Sequence, residues 1–283
     1  MQPETAPTPK ARRSDAARIA LGTLTAIPAG ARWDPGSARR SLGWYPAVGW
    51  LIGLAATSVP FVCFLLGWHG RASAVVGVMI LAVLIVASRA MHYDAIADTA
   101  DAVLGGSTPE RRLEIMDDSA VGAFGATAVA FVIVAQAAAL TGVVETVAWY
   151  AIVIGAVLAR FGAVLALWAI KPARDRGLAA PLAGRPKAGT ALIAVAFVVA
   201  LALLPFVGVG EKWSSIALAT TAFAGWPAHQ VQGFWACLVI GAVAMFAFPW
   251  LLSRTVRGVT GDIIGASIAA TMMVVLIAGA LFG

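Results

Sequence analysis

The stretch "VVGVMILAVLIVASRAMHYDAIADTADAV", residues 75–103, decides how the chain is read. Its first half is an apolar run of the kind that belongs in hydrocarbon. Its second half carries Asp94, Asp98 and Asp101, with no Lys or Arg among them. Like charges at i, i+4 cost an isolated helix about 0.2–0.5 kcal/mol a pair. Something must offset that repulsion where a greasy chain gathers three acids.

Composition supports the membrane reading. The 283 residues are 60% hydrophobic and 12% charged, with a mean hydropathy of +0.87. Soluble domains carry about 25% charged residues. The net charge of +6 is expected to encode orientation in a bilayer and not a nucleic-acid partner. Cys63 and Cys237 lie in separate apolar runs, so neither a disulfide framework nor a metal spacing is visible. Residues 1–14 read as a polar, Pro-rich disordered tail. Residues 15–283 read as a single integral membrane catalytic domain without internal repeats. Within it "DAARIALGTLTAIPAGA", residues 15–31, resembles a weak signal peptide but is interrupted by Gly22, two Thr and Pro28. An interfacial or re-entrant segment is expected there.

A helix needs about 20 mostly apolar residues to cross a bilayer. The runs that qualify are Trp44–Gly67, Ala72–Ser88, Gly122–Val144, Thr146–Ile170, Ala188–Gly208, Trp235–Leu252 and Ile263–Phe282. The expected fold is therefore an all-α, multi-pass transmembrane bundle of about seven spans. "SSIALATTAFAGW" is too short and polar to add another. Connections rich in Lys and Arg alternate with poor ones: the segment before the first span, then Arg71 alone, then Arg89, Arg111 and Arg112, then none at Glu145. Next come Lys171, Arg174, Arg176, Arg185 and Lys187, then Lys212 alone, then Arg254 and Arg257. The positive-inside rule puts the N-terminus and the rich loops on the cytoplasmic side of the membrane.

Seven of the fourteen acids, Asp94, Asp98, Asp101, Glu110, Glu114, Asp117 and Asp118, then fall in one cytoplasmic window. At about 100° per residue, Asp94, Asp98 and Asp101 share an arc of roughly 60°. One-face carboxylates fit a hard divalent cation, Mg²⁺ above all, completed by waters and substrate phosphates. The competing reading is a solvated helix end whose acids pair with Arg89, Arg111 and Arg112. Asp118 either joins the metal site or caps the helix that begins near Gly122. Arg111 and Arg112 either bind phosphate or sit at lipid headgroups. His92 is a base, a ligand or an interfacial histidine. Arg160 is the one basic residue inside a span, and an intramembrane charge is by default functional or paired. Arg174, Arg176 and Arg185 in "KPARDRGLAAPLAGRP" suit either an anion or orientation. Asp262 in "RTVRGVTGDIIGA" lies among glycines at the mouth of the last span, where it or Thr260 caps the helix or meets a phosphate-bound metal.

"HYDAIADTADAVLGG", "RRLEIMDDSAVGAFG", "ARDRGL" and "GVTGDIIGA", in that order, resemble the signatures of the bacterial cobalamin (5′-phosphate) synthases, also called adenosylcobinamide-GDP ribazoletransferases. "LTAIP" and "GWYPAVGWLIG" resemble the family's opening motif. The resemblance runs from about Leu21 to Ala266, and its specificity lies in the number and order of the motifs. The chain departs from the pattern at Ala95 and Ala102, where the family favours Gly, and at Ala26 and Asp117, where it often has a basic residue.

The resemblance implies the last assembly step of adenosylcobalamin. Adenosylcobinamide-GDP is joined to α-ribazole or its 5′-phosphate, GMP is released, and Mg²⁺ is required. Carried onto this chain, Asp94, Asp98 and Asp101 become metal ligands with Asp118 assisting. One of these carboxylates, or His92, takes the hydroxyl proton. Arg160, Arg174, Arg176, Arg111 and Asp262 become the substrate-binding candidates. The nearest rival is a CDP-alcohol phosphotransferase, whose usual Ala-Arg-linked acidic pattern is missing here. A rival of another class is an ion-coupled transporter. The oligomeric state is open, and a homo-oligomer is compatible with the sequence.

Overall fold

In hydrocarbon a backbone must satisfy its own N–H and C=O groups, so apolar runs become helices. The structure, a computed structural model, describes residues 13–67, 72–203 and 227–283. The helices there are α1 (Arg13–Leu24), α2 (Pro35–Ser41), α3 (Tyr45–Leu65), α4 (Ser73–Ala87), α5 (Met91–Gly105) and α6 (Pro109–Met116). They continue with α7 (Ala123–Glu145), α8 (Tyr150–Ala169), α9 (Ala179–Leu182), α10 (Ala188–Ala202), α11 (Ala228–Thr255) and α12 (Gly261–Phe282).

Five stretches are long and apolar enough to cross a membrane: residues 35–65, α7, α8, α11 and α12. The bent pair α4–α5 makes a sixth if taken as one span. The expected seventh, Ala188–Gly208, is present as the 15-residue α10. That is about 22 Å of helix against a core of about 30 Å. The rest of that span, with Lys212 and "SSIALATTAFAGW", lies outside the described residues, as does most of the expected tail. The segment from residue 15 forms α1, which packs against α2 and α3 and buries Ala16, Ile19, Ala20 and Leu24.

α8 is apolar all round and buried almost throughout, so it forms the axis of the bundle. α3, α11 and α12 pack around it. A Cβ on Gly49 would lie 2.6 Å from the Ala156 carbonyl oxygen, and one on Gly53 would lie 2.9 Å from the Val153 Cα. This small-xxx-small pair lets α3 approach α8 backbone to backbone. Leu54, Phe131, Val134, Val243 and Phe246 point outward, as lipid-facing side chains do.

Charged connections collect at one end of the bundle. There Arg112 donates to the Thr255 carbonyl at 2.9 Å and Arg257 pairs with Glu110 at 3.6 Å. At the other end Gln230 donates to the Thr146 carbonyl at 2.6 Å.

The acids of α5 run along a helix that packs against α7 and α12. Arg89 and Ala90 adopt left-handed φ of 53° and 55°, and the chain turns 84° between α4 and α5. Such a conformation costs an L-residue about 1–2 kcal/mol. The Ala90 N–H donates to the Ile85 carbonyl at 2.9 Å, and the Ala26 N–H donates to the Ala87 carbonyl at 2.8 Å. α5 starts at mid-height, where Tyr93 donates to Gln136, which donates to the Ala269 carbonyl at 3.3 Å. It ends at the mouth. There Asp101 accepts the Gly122 N–H at 2.7 Å and the Gly125 N–H at 2.9 Å. The cap of α7 is therefore Asp101 from a neighbouring helix. Asp118, weighed for that role, accepts the Ala120 N–H at 3.0 Å within its own turn.

Asp101→Ala leaves two N–H groups at the start of α7 without their acceptor. It is expected to cost about 1–2 kcal/mol, measured as earlier thermal unfolding in detergent, with Asp118→Ala losing less. Equal melting of the two variants would contradict this assignment.

Candidate active site

The site is built where three connections meet. Residues 171–178 dock on the α11–α12 link: the Ala173 N–H donates to the Val259 carbonyl and the Val259 N–H to the Lys171 carbonyl, both at 3.0 Å. A Cβ on Gly258 would stand 2.6 Å from the Ala173 Cα, so the approach requires glycine. Thr260 then caps α12, its hydroxyl accepting the Ile263 N–H at 3.1 Å. That frees the Asp262 carboxylate to face the cavity.

The cavity measures about 260 Å³ and is lined by Asp94 and His92 from α5, Arg174 and Arg176 from the docked loop, and Asp262. Tyr45, Leu178 and Leu182 complete its less polar walls. Five residues singled out from the sequence thus come together across separate segments. Arg174 lies 3.7 Å from Asp262 and also pairs with Asp117, while Arg176 pairs with Asp117 at 2.7 Å. Asp117 stands out in the sequence only as an acid of the cytoplasmic window and as a departure from the family pattern, not as the partner of these arginines. Its partners are 57 and 59 residues away, and no local spacing announces them.

Asp98 is half-buried below the mouth, within electrostatic reach of Asp94, Asp101 and Asp262. Among the described residues Asp94, Asp98 and Asp101 form no salt bridge. The arginines that would have neutralised them are engaged elsewhere. Arg89 donates to the Gly22 carbonyl at 3.4 Å, Arg111 pairs with Glu114 at 2.8 Å, and Arg112 donates to the Gly106 carbonyl at 2.9 Å. The helix-end pairing read as the competing account is therefore not what these acids do. Three carboxylates with so little compensation suit a cation. Among the described residues, however, no three His, Cys, Asp or Glu side chains converge tightly enough to cage one. Mg²⁺ is usually held by one or two protein carboxylates plus waters and phosphate oxygens, and Asp94, Asp98 and Asp262 fit that arrangement. Asp101 is spent on α7 and Asp118 on its turn. Arg111 is exposed, outside the cavity wall.

Arg160 does not reach the main cavity. It is 3% exposed and faces a separate pocket of about 30 Å³ beneath His92, shared with Tyr93 and Gln136. One guanidinium N–H donates to the Ala156 carbonyl at 3.2 Å. His92 forms the partition between the two spaces, and neither of its ring nitrogens finds a hydrogen-bond partner among the described residues.

Residues 16–280 match the family described as cobalamin-5-phosphate synthase. A protein of Chlorobium chlorochromatii named adenosylcobinamide-GDP ribazoletransferase is 35% identical over 93% of this chain and 94% of its own. Proteins of the same name are similar at 32% identity in Azorhizobium caulinodans, over 85% of this chain and 84% of the relative, and at 34% in Syntrophobacter fumaroxidans, over 82% and 83%. No solved structure matches the chain. A match over nearly the whole length, from the N-terminal helix to the end of α12, means that this chain belongs to the cobalamin-5-phosphate synthase family.

Proposed function

We propose that the chain joins adenosylcobinamide-GDP to α-ribazole or α-ribazole 5′-phosphate and releases GMP. The observation that carries this reading is the meeting of Asp94 and Asp262 with Arg174 and Arg176 in one cavity, in a chain of this family. A ribose hydroxyl forms a bond to the corrinoid-side phosphorus, the bond from that phosphorus to the GMP oxygen breaks, and the hydroxyl proton passes to the site. Negative charge grows on phosphoryl oxygens and on the departing GMP.

Each group in the cavity has a task in that step. Arg174 and Arg176 bind the diphosphate through charge-assisted hydrogen bonds, exchanging Asp117 for phosphate oxygens. Asp94, Asp98 and Asp262 would hold Mg²⁺, which neutralises phosphoryl charge when bound. The single hydroxyl proton passes to one acceptor at the cavity wall, His92 or a carboxylate such as Asp94. Leu178 and Leu182 keep the walls apolar and limit water. Asp101 holds the mouth of α5 against α7 and so keeps Asp98 in register.

By the positive-inside rule, the end that carries this cavity faces the cytoplasm of a bacterial inner membrane.

Purified protein given adenosylcobinamide-GDP and α-ribazole 5′-phosphate is expected to release GMP only when both substrates and Mg²⁺ are present, with EDTA abolishing release. Asp98→Ala is expected to lose about 100-fold or more in kcat, while Asp118→Asn stays near wild type. GMP release that ignores the second substrate, or an active Asp98→Ala, would overturn the reading. Separately, Arg174→Gln is expected to raise KM for adenosylcobinamide-GDP about tenfold. An unchanged KM in that assay would remove Arg174 from the diphosphate site.

A further inference from the structure

A second cavity lies beside the first, with Leu182 as a wall of both. It measures about 300 Å³, and two segments far apart in sequence bring four cations to it: Arg39 and Arg40 from α2, and Arg185 and Lys187 from the link between α9 and α10. Charge bias in loops orients a membrane protein by number alone, wherever in the loop the charges fall. It gives no reason for four of them to converge on one concave space.

The local bonding gives these cations hydrogen bonds but no ion pair at salt-bridge distance among the described residues. Arg39 donates its Nε–H to the Pro181 carbonyl at 3.2 Å, which ties α2 to the loop carrying Arg185. Arg40 donates to the Ser37 hydroxyl at 2.8 Å, but its Nε is buried without a hydrogen-bond partner. The nearby acid, Asp34, caps the start of α2 and lies within electrostatic reach of Arg40, yet it forms no salt bridge and its Oδ2 is buried without a hydrogen-bond partner among the described residues. It accepts the Ser37 N–H at 2.9 Å, and its hydrogen bonds to Ser37 hold its carboxyl below the ordinary range. A buried, unpaired guanidinium N–H facing a basic concavity calls for an oxyanion.

We propose that this basic cavity is a second anion site, distinct from the acidic one, and that it takes a phosphate group. Guanidinium pairs match phosphate oxygens in geometry and charge. The phosphate belongs either to an anionic lipid headgroup or to a free phosphoester. The acidic cavity handles phosphate through Arg174 and Arg176 with three carboxylates close by; this one offers cations without a lining carboxylate, so a bound phosphate needs no metal here.

The test uses the full chain in neutral detergent in an Arg174→Gln/Arg176→Gln background, which removes the cations of the first cavity. Two probes are applied: radiolabelled inorganic phosphate by equilibrium dialysis, and phosphatidylglycerol against phosphatidylcholine by native mass spectrometry. The background protein is expected to bind one equivalent of phosphate or to retain phosphatidylglycerol selectively. Adding Arg40→Gln and Arg185→Gln is expected to weaken that binding about tenfold for each arginine removed. Should that variant fail to fold, Arg185→Gln with Lys187→Gln, both exposed, is expected to weaken it in the same direction. Selective retention of phosphatidylglycerol assigns a headgroup, and phosphate binding without it assigns a free phosphoester. Absence of saturable binding by both probes, or equal binding before and after the charges are removed, overturns the proposal.

Discussion

A helix broken inside an apolar bundle leaves backbone groups that lipid cannot satisfy, and such a break survives only where protein or a polar cavity covers it. The turn at Arg89 and Ala90 is that kind of break, and the rest of the site depends on it. Neighbouring chain satisfies part of it, with Ala26 donating to the end of α4 and Ala90 donating back to Ile85. Below the break, Tyr93, Gln136 and the Ala269 carbonyl form a buried chain of hydrogen bonds across α5, α7 and α12. Because α4 stops short and α5 leaves at 84°, a polar space opens beside α12. A straight helix would fill that space with its own side chains and present its carboxylates to the surface.

Electrostatics then determines what the space can hold. Asp94 and Asp262 line the cavity and both act electrostatically on the half-buried Asp98, with Arg174 as a local counter-charge to Asp262. Arg174 and Arg176 are drawn together by Asp117, whose carboxylate takes N–H groups that a phosphate would also use. Asp117 thus places a carboxylate against the arginines where a diphosphate is proposed to bind. Cation and substrate oxygens are expected to satisfy the acids and the arginines together.

Much of this was legible in the sequence, for identifiable reasons. Apolar length announces a helix in a membrane. The i, i+4, i+7 spacing placed three aspartates on one helix, and motif order gave the family. Other features left no local mark. Arg89 and Ala90 are not residues that advertise a left-handed turn, so a broken span read as a span followed by a surface helix. Asp101 reads as a third ligand, yet two glycine N–H groups 21 and 24 residues later claim it. Asp117 gains its meaning only when the 171–178 loop docks on the Val259 strand-like link.

The central claim is that the half-helix carboxylates and the substrate diphosphate hold one divalent ion between them. Electron paramagnetic resonance of bound Mn²⁺, titrated into the purified protein with and without adenosylcobinamide-GDP, tests this directly. The account predicts weak binding to the protein alone, tight binding when the diphosphate is present, and loss of that coupling in Asp98→Ala. Mn²⁺ binding of equal strength with and without the diphosphate, or unchanged by Asp98→Ala, would contradict it.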